Sequence, residues 1–288
     1  MNAPAPKYIV EVSPEERVVG QLTAANAKLA YSSMNLQGFV ILRGCFSPAH
    51  VADMYAEYQA QYGACDVAAM DALSEKPSPV IRVGTGRFEI VMKLTGAFDT
   101  RAYANDLLLR FLIPLVGRDM RLSGVSAVAS YPGADQQRTH RDAGHLFPDY
   151  HVGPTLPTYA VNVSVPLIDV DATIGPTGVW PGSHRMTDDK PLPGNDTLLT
   201  VPFLKGDAIL IDYRTLHAGL PNTSQTVRPI LYMVYARNWF FDDANHPQRS
   251  PLDMSLETFR ALPENLKPLL MRAYSNILRA KAFNRTQG

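Results

Sequence analysis

Cysteine is almost absent: the 288 residues contain two, Cys45 and Cys65, well separated and in no Cys-x-x-Cys pair. That excludes a disulfide framework and a thiolate metal site, and both thiols are expected to be free. Net charge is absent as well, with 27 basic residues against 27 acidic ones and no run of five or six like charges. The electrostatic footprint of a nucleic-acid or anionic-membrane binder is therefore missing, which leaves a small molecule as the expected partner. No stretch of about 18 apolar residues occurs, since even the greasy segment 107–116 carries Arg110 and Pro114. The opening MNAPAPKYIVEVSPEE is proline-rich and then acidic, without the basic and apolar regions of a secretory signal, so a reducing cytoplasm is the expected setting. There is no Gly-x-Ser-x-Gly hydrolase elbow, no internal repeat and no low-complexity segment. The GTG at 84–86 lacks the strand-to-helix context of a dinucleotide loop; Arg82 and Arg87, which flank it, can instead face an anionic substrate or cosubstrate.

What the chain does have is a change of period along its length. Residues 17–36 carry Val18, Leu22, Ala25, Leu29 and Met34 at near-helical spacing, and the run GFVIL at 38–42 reads as a strand. Ser47-Pro48 is a cap followed by a first-turn proline, opening a helix whose buried stripe is Val51, Met54, Tyr55 and Tyr58. Residues 63–78 read as loop. Short alternating segments then fall at 80–83, 88–92, 125–131, 159–166, 198–203, 208–212 and 229–237, interrupted by a helix over 101–116. The tail 255–282 is helical again. Many short strands at turn-punctuated intervals predict a mainly β fold with flanking α-helices, an antiparallel sandwich or jelly roll rather than a parallel α/β sheet. One domain is expected over 1–288, with its core at about 79–240 and helical flanks at 15–65, 101–117 and 253–282.

Seven histidines are present, and His140-Arg141-Asp142 is the informative cluster. On an extended chain residues i and i+2 point the same way, so His140 and Asp142 can bind one ion together. His217, just beyond the strand at 208–212, supplies a third ligand from elsewhere in the fold. Two imidazoles and one carboxylate leave three open positions on an octahedral ion, the facial triad of non-haem Fe(II) oxygenases. Eleven residues after His217, Arg228 opens the next strand, where a guanidinium fork suits the far carboxylate of a dicarboxylate cosubstrate.

With these residues in place the sequence resembles the phytanoyl-CoA dioxygenase family of Fe(II)- and 2-oxoglutarate-dependent oxygenases. The resemblance rests on QRTHRD at 137–142, GPTGVWPGSHR at 175–185, KGDAILID at 205–212, HAGLPN at 217–222 and Arg228, in that order. It runs from about residue 36 to about 240. HRDAGH and the distance to GSHR look most similar to the fungal fumitremorgin endoperoxidase type, which acts on secondary metabolites. The resemblance implies a double-stranded β-helix (cupin-like jelly roll) core with N- and C-terminal helices, Fe(II) binding by His140, Asp142 and His217, pairing of Arg228 with 2-oxoglutarate, and O2 as the co-reactant. It also implies polar contacts to the cosubstrate from Gln137 and Thr177. One departure is Gly219, where some members have a hydroxyl residue that also holds the cosubstrate; Tyr213 or Tyr232 is the expected helper instead. An intact Asp142 separates the chain from related halogenases, which have Ala or Gly there.

Softer signals surround this centre. The insertion 143–157 is long for a hairpin loop and carries His145, Phe147, Tyr150 and His151, as a lid would. Trp239, Phe240 and Phe241 can wall an apolar pocket, and His184 and Arg185 can brace a loop over its mouth. The expected activity is oxidation, by default hydroxylation, of an unactivated C–H of a small, largely apolar metabolite, with release of succinate and CO2. Two alternatives remain: a non-catalytic jelly-roll binding protein, and a cupin-like Zn or Mn protein that needs no 2-oxoglutarate. Homodimerisation through the aromatic C-terminal region is compatible with the pattern, which does not require it.

Overall fold

In the computed structural model, residues 8–147, 152–187, 190–200, 202–242, 245 and 250–286 are described. Tyr150, His151 and His246 lie outside these residues, as does Val201. Eleven strands are described: β1 (Ile9–Glu11), β2 (Phe39–Arg43), β3 (Val80–Gly84), β4 (Arg87–Val91), β5 (Arg121–Ser130), β6 (Ala160–Pro166), β7 (Thr177–Val179), β8 (Leu199–Thr200), β9 (Ala208–Asp212), β10 (His217–Gly219) and β11 (Arg228–Ala236). The helices are α1 (Pro14–Val19), α2 (Ala24–Gln37), α3 (Pro48–Tyr62), α4 (Val67–Ser74), α5 (Thr100–Tyr103), α6 (Asp106–Val116), α7 (Leu256–Ala261) and α8 (Met271–Thr286). Eight strands form a large sheet in the order β1-β2-β9-β6-β11-β5-β4-β3, and β10-β7-β8 form a small one. All pairs are antiparallel except β1 with β2. Two sheets with helices at the flanks are the jelly roll the sequence predicts.

Alternation explains why the large sheet works. One set of alternate residues, including Phe88 and Ile90, Ala127 and Ala129, Leu231 and Met233, and Val161 and Val163, joins the main core. Against it pack Met34 of α2, Val51, Met54 and Tyr58 of α3, and Leu108, Phe111 and Leu112 of α6. Each such side chain, fully buried, contributes about 1.5–3 kcal/mol. The other set faces the small sheet. At the β2/β9 end it is apolar, with Phe39, Ile41, Ile209 and Ile211 packed on Val179 and Phe203. Toward β4, β5 and β11 it turns polar, because Arg87 pairs with Ser130 and Ser130 with Arg228 in one lateral row.

Local chemistry corrects several element boundaries. The stripe over 17–36 is two helices: Gly20 ends α1 at φ 68°, and Thr23 caps α2 through Asn26 N. A Cβ at Gly20 would lie 2.7 Å from Asp106 Cβ, so close contact with the start of α6 also demands glycine. Val18 and Leu29 are exposed, and the buried side of α2 is Ala30, Ser33 and Met34. The helix over 101–116 is likewise broken, since Asn105 caps α6 by accepting from Leu108 N. Residues 63–78 are not all loop: Asp66 caps α4 through Ala69 N. Among the described residues of 198–203 only β8 is strand, with Phe203 in an isolated bridge to Val170. The flank 15–65 is not purely helical, because β2 enters the large sheet between β1 and β9. Among the described residues no helix is long and apolar enough to cross a membrane.

Candidate active site

His140 and His217 meet across a two-residue antiparallel bridge. Each backbone N–H donates to the other's carbonyl, at 3.0 Å and 2.9 Å. The rings stand 4.4 Å apart. His140 Nδ1 is 2.8 Å from Arg138 O, and His217 Nδ1 is 3.0 Å from Thr215 O. A carbonyl only accepts, so both Nδ1 atoms carry a proton, and in the neutral tautomer this selects, Nε2 is the nitrogen with the free lone pair. Asp142 Oδ1 lies 3.5 Å from His217 Nε2. One ligand atom from each of His140, Asp142 and His217 fits within a 4.8 Å span, the arrangement a single cation needs. Burial, and then the neighbouring His217, hold the His140 imidazole below its usual value against the pull of Asp142. At neutral pH it is therefore the neutral, ligating form.

Arg141, between the two ligands, points away and ties the segment down. Its guanidinium donates to Arg214 O at 2.7 Å, Met186 O at 2.9 Å and Ser183 O at 3.2 Å. His145 adds a 2.7 Å contact to Met186 O. The loop that follows is held at its far end by Arg214, which donates to Gly153 O and Leu156 O. Phe147 is exposed, and Trp239 and Phe241 are exposed too; only Phe240 packs inward, against Tyr159 and Tyr213.

A cavity opens beside the triad, lined among others by Gln137, Thr177, Gly219, Tyr232, Val128, Asn162 and Tyr213. Gln137, Gly219 and Thr177 are neighbours: Gly219 N donates to Gln137 Oε1 at 2.9 Å, and Gly219 pairs with Thr177 across β10 and β7. Arg228 is 1% exposed, with Nε and Nη1 lacking any partner. Arg87, also 1% exposed, donates to Asp135 O and Leu220 O but leaves Nη1 unpartnered. Burial and the adjacent Arg228 push the Arg87 guanidinium down to about 10. Burial likewise depresses Arg228, with the Tyr232 hydroxyl acting against it. Ser130, between the two arginines in the sheet, has a buried Oγ without a partner. Orphaned donors in such density have the character of an anion site.

Gly219 now has a physical reason. A Cβ there would lie 2.6 Å from Gln137 Oε1 and 2.8 Å from Arg87 Nη1. The room that a hydroxyl residue would take is filled by a second guanidinium. Arg87 is thus the side chain that stands beside Gly219, where the sequence suggests Tyr213 or Tyr232. Tyr232 does share the face of Arg228, but the Tyr213 hydroxyl is committed to Asp242 Oδ2 at 2.8 Å, next to Asp142. Arg82 is half-exposed and pairs with Asp71 at 3.1 Å, away from the cavity. Ser130 and Asn162 escape sequence reasoning because no local motif marks them; only strand register sets them beside Arg228 and Asp142.

His184 and Arg185 do not brace the cavity mouth but pin their turn to α2 through Asn35. Burial depresses the His184 imidazole from 6.5 to about 4. Between those values the unfolded chain binds the proton more readily. This site's stability is therefore complete above about pH 6.5 and lost as pH falls through about 4. The loss across that window is roughly 3 kcal/mol. Urea unfolding at pH 7 and pH 4.5 is expected to show a smaller acid penalty in His184→Gln than in the parent; equal penalties would refute this.

The phytanoyl-CoA dioxygenase (PhyH) family model matches residues 34–230. "Dioxygenase af480" of Aspergillus fumigatus is 32% identical over 160 residues, which is 54% of this chain and 48% of that protein. The chain thus spans about half the length of the curated relative it matches. Among solved structures, the epimerase SnoN from nogalamycin biosynthesis, in complex with Fe3+, alpha ketoglutarate and nogalamycin RO, has TM-score 0.55 and 20% identity, covering 75% of this chain and 85% of its own. HygX from Streptomyces hygroscopicus, with nickel and 2-oxoglutarate bound, has TM-score 0.57 and 18% identity, covering 77% and 92%. At such identities the structures speak for the fold. The family match takes in β2 through the start of β11, including His140, Asp142, His217, Arg87 and Arg228, and the chain belongs to the phytanoyl-CoA dioxygenase (PhyH) family.

Proposed function

We propose that the protein is an Fe(II)- and 2-oxoglutarate-dependent dioxygenase that hydroxylates an unactivated C–H of a small, largely apolar metabolite of secondary metabolism. The observation that carries this reading is the conjunction of a His/Asp/His ligand set with buried, unpartnered polar atoms on Arg87, Ser130 and Arg228, a lateral row that reaches the cavity wall where Arg87 Nη1 approaches Gly219. A metal protein without a diacid cosubstrate has no use for two buried guanidiniums. Iron, O2 and 2-oxoglutarate together supply the oxidising chemistry: the C–H becomes C–OH while the diacid leaves as succinate and CO2.

The chain's own part is binding and orientation. His140 and His217 offer neutral Nε2 lone pairs, fixed by their Nδ1–H bonds to backbone carbonyls. Asp142 adds the one anionic ligand. Arg228 and Arg87 take the far carboxylate of the cosubstrate, with Ser130, Gln137 and Thr177 as polar contacts. Val83, Val128 and Val234 give the cavity an apolar wall for the substrate, and Ser126 gives it a polar point.

Anaerobic titration of the Fe(II)-loaded protein with 2-oxoglutarate tests the reading. A visible charge-transfer band that saturates at one equivalent per iron is expected. A folded, iron-loaded sample with no band at saturating cosubstrate would overturn it in favour of a non-catalytic or 2-oxoglutarate-independent cupin-like metal protein.

A further inference from the structure

Asn162 sits in β6, a central strand paired on both sides, with Ile211 and Val234 as its lateral neighbours. Those neighbours are apolar, and an apolar residue would complete the row. Instead the position holds an amide, 7% exposed, in the wall of the cavity. Its Nδ2 donates to Asp142 Oδ2 at 3.0 Å. Its Oδ1 is buried and has no donor. Such an unmet acceptor costs about 1–3 kcal/mol, so half of this amide is left unsatisfied while the other half grips one oxygen of Asp142.

We infer that Asn162 is a positioning residue that fixes the metal-binding carboxylate of Asp142 in a single orientation. The inference rests on the metal-centre reading above. Asp142 lies outside the strands, in the bend after the His140–His217 bridge, where the sheet does not set its side-chain torsion. Its backbone carbonyl is held by Asn245 Nδ2 at 2.9 Å, which anchors the chain but not the carboxylate. With Oδ2 engaged by Asn162, Oδ1 is the oxygen turned toward His217 Nε2 and the free lone pairs. The effect is to reserve one carboxylate oxygen for the metal and to keep the other from competing for it. Losing a partner of this kind weakens metal binding by about 10- to 100-fold.

Cobalt(II) titration of the apo protein, followed through the visible d–d bands, tests the inference. Asn162→Leu keeps the branched shape and removes the donor; Asn162→Ala removes it with less bulk, should the leucine hinder folding. Each is expected to bind Co(II) about 10- to 100-fold more weakly, with d–d bands altered in shape and intensity and an apo melting temperature close to the parent's. Parent-like affinity and bands in a folded variant would overturn the inference, even if the melting temperature fell. A parent that binds no Co(II), or a His217→Ala variant that binds it as tightly as the parent, would overturn the metal centre itself and the inference with it.

Discussion

His217→Ala is expected to yield a folded protein that retains no Fe(II) after dialysis and releases no succinate from 2-oxoglutarate above the blank. The backbone of β10 keeps its pairing with β7 and its bridge to residue 140, since these use main-chain groups. What disappears is the Nδ1–H bond to Thr215 O, worth about 1 kcal/mol, and one of three ligand atoms. Losing a mere partner to a ligand costs roughly 10- to 100-fold in metal affinity or activity. Loss of the ligand itself exceeds that, because His140 and Asp142 alone cannot define a face of the coordination sphere. Metal analysis of the dialysed protein and succinate detection check the two halves independently. Stoichiometric iron in the variant would place the metal elsewhere.

Arg228→Met is expected to move stability and binding in opposite directions. In the empty protein Arg228 is a fully buried cation with two unpartnered nitrogens, depressed by burial, and it helps to depress the neighbouring Arg87 guanidinium. Replacing buried ionic groups with well-packed apolar ones can stabilise by about 1–4 kcal/mol, and methionine approaches the length of arginine. At about 2–4 °C per kcal/mol for a chain of this size class, the apo melting temperature rises by several degrees. Affinity for 2-oxoglutarate falls meanwhile, since a charge-assisted hydrogen bond is worth about 1.5–3 kcal/mol, or roughly 10- to 150-fold. At a hundredfold excess over its dissociation constant the cosubstrate adds about 2.7 kcal/mol to the parent. It adds little to the variant, so the order of melting temperatures reverses. A variant that is less stable when empty and binds 2-oxoglutarate normally would remove Arg228 from the site.

The meeting of His140, Asp142 and His217 and the place of Arg228 at the head of β11 are legible in the sequence because the cues are short: His-x-Asp spans two residues, and Arg228 opens an alternating run. Sheet class is legible for the same reason, since alternation over 159–166 and 229–237 survives into β6 and β11. Helix boundaries are less so. The apolar spacing over 17–36 and 101–116 runs straight through Gly20 and Asn105, whose capping chemistry overrides it. Ser130 and Asn162 are illegible on physical grounds. Their roles depend on which strands are neighbours and in what register, and a single sequence does not carry that information. Arg82 and Arg87 show the limit most sharply. Both flank the same turn, yet Arg87 is buried beside Gly219 of the cavity wall while Arg82 is half-exposed and pairs with Asp71.

The division of labour in the large sheet has an evolutionary consequence. In β4, β5 and β11, neighbouring residues serve different masters: Phe88, Ala129 and Met233 hold the helices, while Glu89, Val128 and Val234 line the cavity. Point changes at the lining positions can re-tailor the chamber for a new molecule without disturbing a single contact beneath it. A one-residue insertion within any of these strands does the reverse, exchanging the two sets wholesale. Descendants of such a fold are thus free to drift in what they accept by substitution along the strands, and confined to the loops for every change of length.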